Sequence, residues 1–380
     1  MIALRPSHLA GRRVGVAMSG GVDSSVAALL LKDAGAEVVG LSLRLYDLPE
    51  EAQAGARSCC APEDLYDARA VAQALGITHY VLDATARFSE DVIGDFVGAY
   101  LSGITPNPCV RCNERTKFRD LLHRTRTLGC EALVTGHYAR IVEAQDRLYL
   151  ARAEDTRRDQ AYFLFMLGQA ELAQACFPLG DLPKDEVRAM ARARGLPVAD
   201  KPDSQDICFV AGGNPADFIE VAAIARGLRA PGAGDIVDAA GRVVGQHRGI
   251  HRYTVGQRHG LGVLGAEPRY VVAIVAERNE LVVGGAEALA SSGCEVVDVR
   301  WASGAAPAAP IRAEVQVRSR SAPASAQVIP SARGADVVFD APVRAVAPGQ
   351  AAVFFDGTRV LGGGFIAQAL KRQTPMPGAQ

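Results

Sequence analysis

The chain has 380 residues, which is long enough for two or three domains that each bury a hydrophobic core. Lys and Arg number 41 against 42 Asp and Glu, so the net charge of -1 gives no overall attraction to nucleic acid. Contact with RNA would therefore need local basic patches. The N-terminus has no signal-peptide pattern and no apolar run is long enough to span a membrane, so we expect a soluble, cytoplasmic protein without a membrane partner.

The first 31 residues contain a strand, a glycine turn and a helix start in the segment VGVAMSGGVDSSVAALLL, residues 14–31. Val14–Met18 is a short apolar run that suits a buried strand. Ser19, Gly20 and Gly21 interrupt it, and Asp23–Ser25, all good N-capping types, stand where a helix would start. The free N–H groups and the dipole of such a helix start bind anions. Residues 19–25 are called the glycine loop below.

The anion is not identified by the common nucleotide fingerprints. The loop lacks the Gly-Lys-Ser/Thr triplet of the Walker motif and the G-x-G-x-x-G of dinucleotide sites. Instead, the string SGGVDSS resembles the pyrophosphate loop of ATP pyrophosphatases. Those enzymes split ATP between its α and β phosphates and adenylate a substrate.

Residues 12 to about 140 alternate strand-like and helix-like patterns. This alternation predicts a parallel sheet wrapped by helices, in which ligands bind at the carboxyl ends of the strands. The candidate strands are Val14–Met18, Glu37–Leu43, Tyr80–Asp83 and Ala132–Thr135, and candidate helices include Asp64–Leu75 and Phe88–Leu101.

The chain contains eight cysteines: Cys59, Cys60, Cys109, Cys112, Cys130, Cys176, Cys208 and Cys294. In a reducing compartment such thiols are mostly buried, reactive or metal-bound. Cys130, Cys176 and Cys294 lie in ordinary helix-like or strand-like contexts, so we predict that they are buried. Adjacent Cys59 and Cys60 have poor spacing for zinc, so we expect no stably bound metal.

Two of the cysteines lie in informative contexts. In TPNPCVRCNERTKF, residues 105–118, Cys112 stands near a predicted helix start with basic neighbours, which favours a thiolate; an inert C-x-x-C turn is the alternative. In KPDSQDICFV, residues 201–210, Cys208 by itself is typical of a buried strand thiol. The two cysteines are 96 residues apart, and the spacing does not show whether they meet.

After residue 210 the pattern changes. GGNPADFIEVAAIARG predicts one short helix, RYVVAIVAERNELVVGG predicts a hairpin, and Ile311–Ile366 contains only short strand-like runs typical of a small β-barrel. Residues 246–260 hold three Arg, three His and no acid, which favours phosphate contact over a merely solvated loop. We predict an N-terminal domain at 1–210, a small central mixed domain at 211–288, a C-terminal β-barrel at 289–370 and a flexible tail at 371–380.

Eight motifs occur in order along nearly the whole chain. They are the glycine loop, TPNP…RCN…KF, VTGHYAR, RDQAYFLF, SQDICFV, YTVGQRHGLG, VAPGQAAVFFDG and LGGGFI. Together they resemble the bacterial tRNA-specific 2-thiouridylases, a family of the PP-loop superfamily that places sulfur on carbon 2 of the wobble uridine at tRNA position 34. The resemblance implies an N-terminal domain similar to the adenine nucleotide alpha hydrolases.

The resemblance also implies a binding site for ATP, which is expected with Mg²⁺. Leu43 stands where relatives commonly have methionine, and it keeps an apolar contact with adenine without the sulfur. The ATP-binding residues implied are Ala17, Met18, Ser19, Gly20, Gly21, Val22, Asp23, Ser24, Ser25, Leu43 and Gly136.

In this family the two functional cysteines match Cys112, the nucleophile, and Cys208, the persulfide carrier. The uridine C2 oxygen would attack the α phosphate, and sulfur would then replace AMP. The sulfur would come directly from the persulfide or as hydrosulfide released by Cys112, and either route leaves a Cys112–Cys208 disulfide. The implied sulfur donor is a relay protein or a cysteine desulfurase.

The implied RNA partners are the lysine, glutamate and glutamine tRNAs. Many relatives have an aspartate, a candidate general base, where Cys109 stands. In this chain, either the base is not essential or another acid, such as Asp206, takes its place. Cys109 could also join the thiol relay. Ser319 replaces a tyrosine and so removes a stacking contact. The implied tRNA-contacting residues are Asn107, Pro108, Cys109, His137, Arg158, Asp159, Gln160, Arg318, Ser319 and Gln350.

Two other functions fit the glycine loop. One is a different adenylating pyrophosphatase, such as an amide-forming ligase or the enzyme that attaches lysine to a wobble cytidine, for which Cys112 and Cys208 would be dispensable. The other is a non-catalytic RNA- or nucleotide-binding protein, which would release no pyrophosphate. The intact glycine loop and the presence of both cysteines favour the thiolating enzyme.

Overall fold

The computed structural model of the chain describes residues 2–46, 62–203, 207–210, 214–263 and 267–371. Over these ranges the architecture is α/β, with a parallel sheet, a smaller mixed sheet and a closed β-barrel, which confirms the predicted fold class. The predicted domain boundaries stay predictions. Cys59, Cys60, Asp206 and residues 372–380 of the predicted tail lie outside the described residues.

The parallel sheet has five strands in the order β3-β2-β1-β4-β7. β1 lies at its centre and pairs in parallel with β2 on one side and β4 on the other, so the strand order reverses at β1. Loops that leave the carboxyl ends of strands at such a point diverge and form a ligand crevice. The strands are β1 (Arg13–Ala17), β2 (Glu37–Arg44), β3 (Thr78–Asp83), β4 (Ala132–Val134) and β7 (Ala175–Cys176).

Helices cover this sheet and its edges. The predicted helix Phe88–Leu101 begins earlier, at Thr85, and includes a π-helical stretch. The helices are Val22–Asp33, Pro62–Leu75, Thr85–Phe88, Asp95–Leu101, Pro108–Arg111, Leu122–Thr127, Ala161–Leu164, Gln169–Leu172, Lys184–Ala193 and Pro215–Ile224, with π-helical stretches at Ser89–Gly94 and Cys112–Leu121 and 3-10 turns at Pro6–Leu9, Ile250–Arg252, Ala276–Arg278 and Ala286–Leu289. No helix among the described residues has both the length and the apolar character needed to cross a membrane.

A four-stranded mixed sheet follows the helix Pro215–Ile224, in the order β10-β11-β8-β9. The predicted hairpin is confirmed, since β10 and β11 are antiparallel and Asn279 takes a left-handed conformation, φ 50°, at their turn. The strands are β8 (Gly234–Val237), β9 (Val243–His247), β10 (Tyr270–Val275) and β11 (Glu280–Gly284).

The C-terminal strands form the predicted barrel, which closes because β12 pairs with both β15 and β17. A hairpin of the N-terminal part, β5 (Ala139–Ala144) and β6 (Arg147–Arg152), attaches to the barrel at β17. The barrel strands are β12 (Ala290–Trp301), β13 (Ile311–Gln316), β14 (Ala324–Ser331), β15 (Gly334–Arg344), β16 (Ala351–Asp356) and β17 (Arg359–Leu370).

The core is continuous between the first domain and the barrel. One cluster of buried side chains includes Leu133 of β4, Tyr162 and Phe165 between the two parts, and the barrel residues Phe355 and Phe365. The thiols predicted to be buried, Cys130, Cys176 and Cys294, are at most 5% exposed. The barrel is therefore packed directly against the first domain.

Candidate active site

The glycine loop leaves the carboxyl end of β1 and begins the helix Val22–Asp33. Gly20 has φ +71°, and Gly21 is the N-cap residue, without a side-chain hydrogen bond to the helix start. The prediction that Asp23–Ser25 cap the helix is wrong, because the hydroxyls of Ser24 and Ser25 donate back to the Gly21 carbonyl at 3.1 and 2.9 Å. Since no side chain caps this helix, its first N–H groups can donate hydrogen bonds to an anionic ligand.

Two glycines allow close backbone packing around the loop. A Cβ at Gly20 would lie 2.2 Å from the Asp64 carbonyl oxygen. A Cβ at Gly136, just beyond β4, would lie 2.7 Å from the Asp23 carbonyl carbon and from the Ser24 nitrogen. Gly136, implied as a nucleotide contact, therefore also allows the loop after β4 to touch the glycine loop after β1, where the strand order reverses.

Asp23 is held by a lysine that sequence reasoning missed. Lys184, the first residue of the helix Lys184–Ala193, is 4% exposed and donates from Nζ to both Asp23 carboxylate oxygens at 2.7 and 2.8 Å. Tyr138 donates its hydroxyl to the same carboxylate at 2.9 Å, and burial together with Asp23 raises the Tyr138 pKa far above its usual value. In the sequence, a single lysine at the start of an amphipathic helix looks like an ordinary surface charge, so its buried ion pair with Asp23 could not be predicted.

A second lysine supports the back of the loop. Lys201 forms ion pairs with Asp64 and Asp67 and donates to the Gly20 carbonyl at 3.2 Å. The carboxylates raise the pKa of Lys201 against the opposing effect of burial, so the ammonium stays charged. Lys201 therefore ties the segment before Cys208 to the glycine loop.

The end of β2 lies beside the residue that precedes the glycine loop. Leu43 and Ala17 are half-buried and pack against the same hydrophobic cluster. Ser42 donates its hydroxyl to the Met18 carbonyl at 2.7 Å and contacts the His79 Nε2 at 2.8 Å. Leu43, on β2, and Met18, which directly follows β1, therefore lie near the start of the glycine loop.

Cys112 and Cys208 belong to the same packed region despite their separation in sequence. Cys112 is 9% exposed and belongs to this cluster, and Cys208 packs against it. Cys208 lies in a turn and is half-buried, so the interpretation of a buried strand thiol is wrong. The Tyr46 hydroxyl, just beyond β2, donates to the Cys208 carbonyl, which brings this turn close to the end of β2.

The basic residues next to Cys112 are engaged with other groups. Arg111 lies over the Phe365 ring at 3.9 Å and donates to Glu114 at 3.2 Å. Arg115 donates to the Asp91 carbonyl at 2.9 Å. The cationic side chains that the sequence predicts around Cys112 are thus already paired with acidic and carbonyl groups.

The TPNP turn positions the three residues implied to contact the target base. The Asn107 side chain accepts from the Val110 N–H at 3.4 Å and so caps the helix Pro108–Arg111. Pro108 is buried, whereas Cys109 is exposed at the start of this helix. Gln350 of the barrel donates to the Thr105 and Pro106 carbonyls at 3.0 and 3.2 Å, so the barrel fixes the turn.

The other implied tRNA contacts of the first domain differ in how far they are exposed to solvent. His137 is 9% exposed, contacts Thr135 Oγ1 through Nδ1 at 2.7 Å, and burial holds its pKa well below 6.5. Asp159 accepts from Arg152 at 2.9 Å, and Gln160 accepts from the Tyr138 N–H at 2.9 Å. Only Arg158, whose side chain is 44% exposed, presents a charge to solvent.

A cavity of about 430 Å³ lies where the three parts of the chain meet, and it brings three implied tRNA contacts together. Arg318 donates to the Val255 carbonyl at 2.8 Å, and burial lowers its pKa. The Arg318 Nε is buried and has no hydrogen-bond partner in the described part of the chain. The cavity is lined by Thr105, Thr254, Arg318, Ser319, Arg320, Ser321 and Gln350.

The basic loop at residues 246–260 is only partly available to phosphate. His251 and Arg252 contact Glu220 at 2.9 and 2.6 Å, so the phosphate role predicted for the whole loop is wrong for these two. The acid comes from the helix Pro215–Ile224, which the loop's own sequence does not reveal. Arg248 and Arg258 are exposed and form no ion pair with the residues that the structure describes.

No group of three or more His, Cys, Asp and Glu side chains is arranged to hold a metal ion within the described ranges. The acidic groups nearest the glycine loop are instead paired with lysines: Asp23 with Lys184, and Asp64 with Lys201.

Comparison with known proteins assigns most of the chain to three family models. Residues 12–212 match the family model described as the tRNA methyl transferase HUP domain. Residues 224–285 match the tRNA methyl transferase PRC-barrel domain, and residues 291–366 match the aminomethyltransferase beta-barrel domain.

Curated relatives are similar over nearly their full length. The tRNA-specific 2-thiouridylase MnmA of Chloroflexus aggregans is 50% identical over 93% of this chain and 98% of its own. Those of Rhodospirillum rubrum and Acidothermus cellulolyticus are each 51% identical over 94% of this chain and 96% and 98% of their own. The chain therefore belongs to the tRNA-specific 2-thiouridylases, the tRNA-uridine 2-sulfurtransferases of the PP-loop superfamily.

Proposed function

We propose that this chain catalyses the ATP-dependent 2-thiolation of the wobble uridine, position 34, of tRNA. The reaction adenylates the C2 oxygen, takes sulfur from a cysteine persulfide, and releases AMP and pyrophosphate. The observation that carries the proposal is that Cys112 and Cys208 pack in one cluster, in the part of the chain that also carries a glycine loop without a side-chain cap. Thiols of one cluster suit sulfur transfer, and the uncapped loop suits binding of the pyrophosphate that adenylation releases.

ATP is the first substrate, and it brings Mg²⁺ with it. The N–H groups of the glycine loop would hold the pyrophosphate portion, and Leu43 and Met18 would pack against adenine. The uncapped helix start and the buried Lys184 supply donors and positive charge of the kind that phosphates require. Adenylation joins the C2 oxygen to the α phosphorus, expels pyrophosphate and removes the N3 proton.

Sulfur transfer follows at C2, which the adenylate makes electrophilic. The terminal sulfur of a Cys208 persulfide attacks C2 and displaces AMP, after which the Cys112 thiolate attacks the Cys208 sulfur and frees 2-thiouridine. Alternatively, Cys112 attacks the persulfide first and releases hydrosulfide, which then displaces AMP. Both routes end in a Cys112–Cys208 disulfide that a reductant must reopen.

The N3 proton needs an acceptor. Cys109 stands at the exposed start of the helix Pro108–Arg111, in the position of the aspartate that many relatives have. Asp206 is the alternative acid, and Cys109 would then be free to join the thiol relay. A Cys109→Ala variant distinguishes the two, because loss of a base slows pyrophosphate release whereas loss of a relay thiol slows only 2-thiouridine formation.

The tRNA substrate would contact the chain across the junction of its three parts. The base has to leave the anticodon stack to reach the thiols. Arg158, Arg258 and Arg318 supply positive charge on the first domain, the central domain and the barrel, respectively. The proposed substrates are lysine, glutamate and glutamine tRNAs in the cytoplasm, with a sulfur-relay protein or a cysteine desulfurase as donor.

The testing experiment follows two products separately, on unmodified tRNA with ATP and a persulfide donor. Cys112→Ala and Cys208→Ala should lose 2-thiouridine formation and keep tRNA-dependent pyrophosphate release. Cys130→Ala, a buried thiol outside the site, is the matched control and should keep both. Full thiolation by both test variants would contradict the proposal and favour another adenylating pyrophosphatase; absence of pyrophosphate release in the wild type would favour a binding protein.

A further inference from the structure

Cys109 and Cys112 form a C-x-x-C pair on one helical turn. Cys109 is the second residue of the helix Pro108–Arg111, and Cys112 begins the π-helical stretch that follows it directly. The Cys112 N–H donates to the carbonyls of Cys109 and Pro108. Residues three apart on a helix lie on the same face, with their Cβ atoms about 5–6 Å apart. The helical backbone alone therefore makes the two cysteines neighbours.

The two cysteines differ in their access to solvent. Cys109 is exposed, whereas Cys112 is only 9% exposed and belongs to the cluster against which Cys208 packs. Cys112 therefore shares its packed region with Cys208 and its helical turn with Cys109. The C-x-x-C spacing is that of the reactive pair in thioredoxin-like oxidoreductases, in which the two thiols alternate between the reduced and the disulfide form.

Turnover leaves a disulfide that an external reductant reaches poorly. Both proposed routes of sulfur transfer end in a Cys112–Cys208 disulfide, and Cys208 has to become a thiolate again before it can take up the next sulfur. Cys112 is almost fully buried and Cys208 is half-buried. Because an attacking thiolate must reach one of the two sulfurs, burial slows the reduction of this bond. A thiol that the chain itself holds beside Cys112 does not meet this barrier.

We propose that Cys109 reopens the Cys112–Cys208 disulfide by internal exchange, a role that rests on the proposed function for the origin of this bond. Cys109 loses its proton to solvent, and its thiolate attacks the Cys112 sulfur. The Cys109–Cys112 bond forms, the Cys112–Cys208 bond breaks, and Cys208 leaves as the thiolate, without net oxidation or reduction. An external dithiol then attacks the exposed Cys109 sulfur, supplies two electrons and two protons, and restores both thiols as it becomes a disulfide itself.

The Cys109–Cys112 bond should be short-lived. A disulfide needs its two Cβ atoms about 3.5–4.5 Å apart, which is closer than the about 5–6 Å between helical residues three apart. The bond therefore strains the turn, and strained, exposed disulfides are the easily reduced ones. Without a reductant the exchange should favour the Cys112–Cys208 bond, whereas with a reductant the exposed bond is reduced as it forms.

The test measures how fast dithiothreitol reopens the Cys112–Cys208 disulfide in the full chain after a single turnover on tRNA. Trypsin cleaves after Arg111 and releases Cys109 and Cys112 on separate peptides, so non-reducing mass spectrometry distinguishes the two disulfides. Cys109→Ser and Cys109→Asp should both reopen the bond at least about tenfold more slowly than the wild type, because neither side chain can exchange with a disulfide. Cys130→Ser, at a buried thiol outside the site, is the matched control and should reopen the bond at the wild-type rate.

Cys109→Asp also separates this role from that of a general base. The substitution supplies the carboxylate that many relatives have, so it would replace a lost base but not a lost thiol. Slow reopening in Cys109→Asp therefore supports the exchange, whereas equal reopening rates in the wild type, Cys109→Ser and Cys109→Asp would overturn it. A wild type that forms no 2-thiouridine would instead contradict the proposed function.

A second experiment needs no turnover and so tests the exchange independently of the proposed function. Cys208→Ser removes one partner of the turnover disulfide and leaves Cys109 as the thiol on the same helical turn as Cys112. Oxidation with diamide should then link Cys109 to Cys112, and dithiothreitol should reopen this bond faster than it reopens the Cys112–Cys208 bond of Cys109→Ser. Absence of a Cys109–Cys112 linked peptide in oxidised Cys208→Ser would also overturn the inference.

Discussion

The ammonium of Lys184 contacts both carboxylate oxygens of Asp23, at 2.7 and 2.8 Å, although 161 residues separate the two. Asp23 lies in the first turn of the helix that begins at the glycine loop. A carboxylate at this position stabilises the helix dipole but repels phosphate. Lys184 neutralises that repulsion and so makes the loop suitable for ATP.

The first prediction concerns Lys184. Lys184→Met leaves the Asp23 and Asp203 carboxylates without their shared cation, so we expect the free energy of unfolding to fall by about 3 kcal/mol. The kcat/KM for ATP in tRNA-dependent pyrophosphate release should fall at least about tenfold. Lys32→Met, at an exposed lysine on the helix Val22–Asp33 that carries Asp23, is the control and should leave both quantities unchanged. A folded Lys184→Met protein with an unchanged kcat/KM for ATP would disprove the role of Lys184 in ATP binding.

The second prediction concerns the contact between the glycine loop after β1 and the loop after β4. A methyl group on Gly136 meets backbone atoms of Asp23 and Ser24 that cannot move without shifting the glycine loop. We expect Gly136→Ala to lower stability by about 1 to 3 kcal/mol and to weaken ATP binding, measured by calorimetry.

Gly98→Ala is the control for this substitution. Gly98 lies in the helix Asp95–Leu101, and a Cβ there meets no atom within 4 Å. It should therefore leave ATP binding unchanged and stabilise the helix by about 0.5 to 1 kcal/mol. Equal ATP affinities of Gly136→Ala and the wild type would contradict the packing argument.

The third prediction concerns the barrel. Gln350→Ala removes two hydrogen bonds to the TPNP turn, each worth about 1 kcal/mol, and so loosens the turn that carries Asn107 and Cys109. The KM for tRNA should rise while the KM for ATP stays constant, in steady-state thiolation. Gln327→Ala, on the exposed face of β14, should change neither constant. A raised KM for ATP together with an unchanged KM for tRNA would contradict this prediction.

Much of the first domain could be predicted because its signals are local. The apolar run before Ser19 and the two glycines after it indicate β1 and the glycine loop without any tertiary information. The four predicted strands of the parallel sheet differ from the observed ones only at their ends: β1, for example, begins at Arg13 and ends at Ala17. The fifth strand, β7, is too short to give a signal of its own in the sequence. Helix capping failed as a prediction because Ser24 and Ser25 bond to the backbone of Gly21 from inside the first turn.

The ion pairs around the loop could not be predicted. Lys184, Lys201 and Asp203 are single charged residues in polar stretches, and their partners lie far away in the sequence. Nor could the common packing of Cys112 and Cys208 be predicted, because the cluster they share, with Phe88, Phe96 and Phe209, gathers residues that are far apart in the sequence. Local sequence reports on periodicity and turns, whereas these contacts are set by how the elements pack.

The fourth prediction is a pH dependence. The pKa of buried His137 is well below 6.5, so the unfolded chain binds more protons below that pH and stability falls as the pH drops. The slope attributable to His137 is at most about 1.4 kcal/mol per pH unit. His79 also has a lowered pKa, so the quantity to measure is the difference between the wild type and His137→Asn in urea unfolding, at about pH 7.5 and about pH 5.5.

His137→Asn should lose less stability than the wild type over this interval. His259→Asn, an exposed histidine in the basic loop, should keep the slope of the wild type. Identical slopes for wild type and His137→Asn would mean that His137 is protonated in the folded chain.

The central claim is that Cys112 and Cys208 exchange sulfur during one turnover. The most direct test loads the enzyme with persulfide, allows a single turnover with tRNA and ATP without reductant, and maps disulfides in a non-reducing digest. We predict one Cys112–Cys208 linked peptide for each 2-thiouridine formed. Formation of 2-thiouridine while both thiols stay open to alkylation would contradict the account.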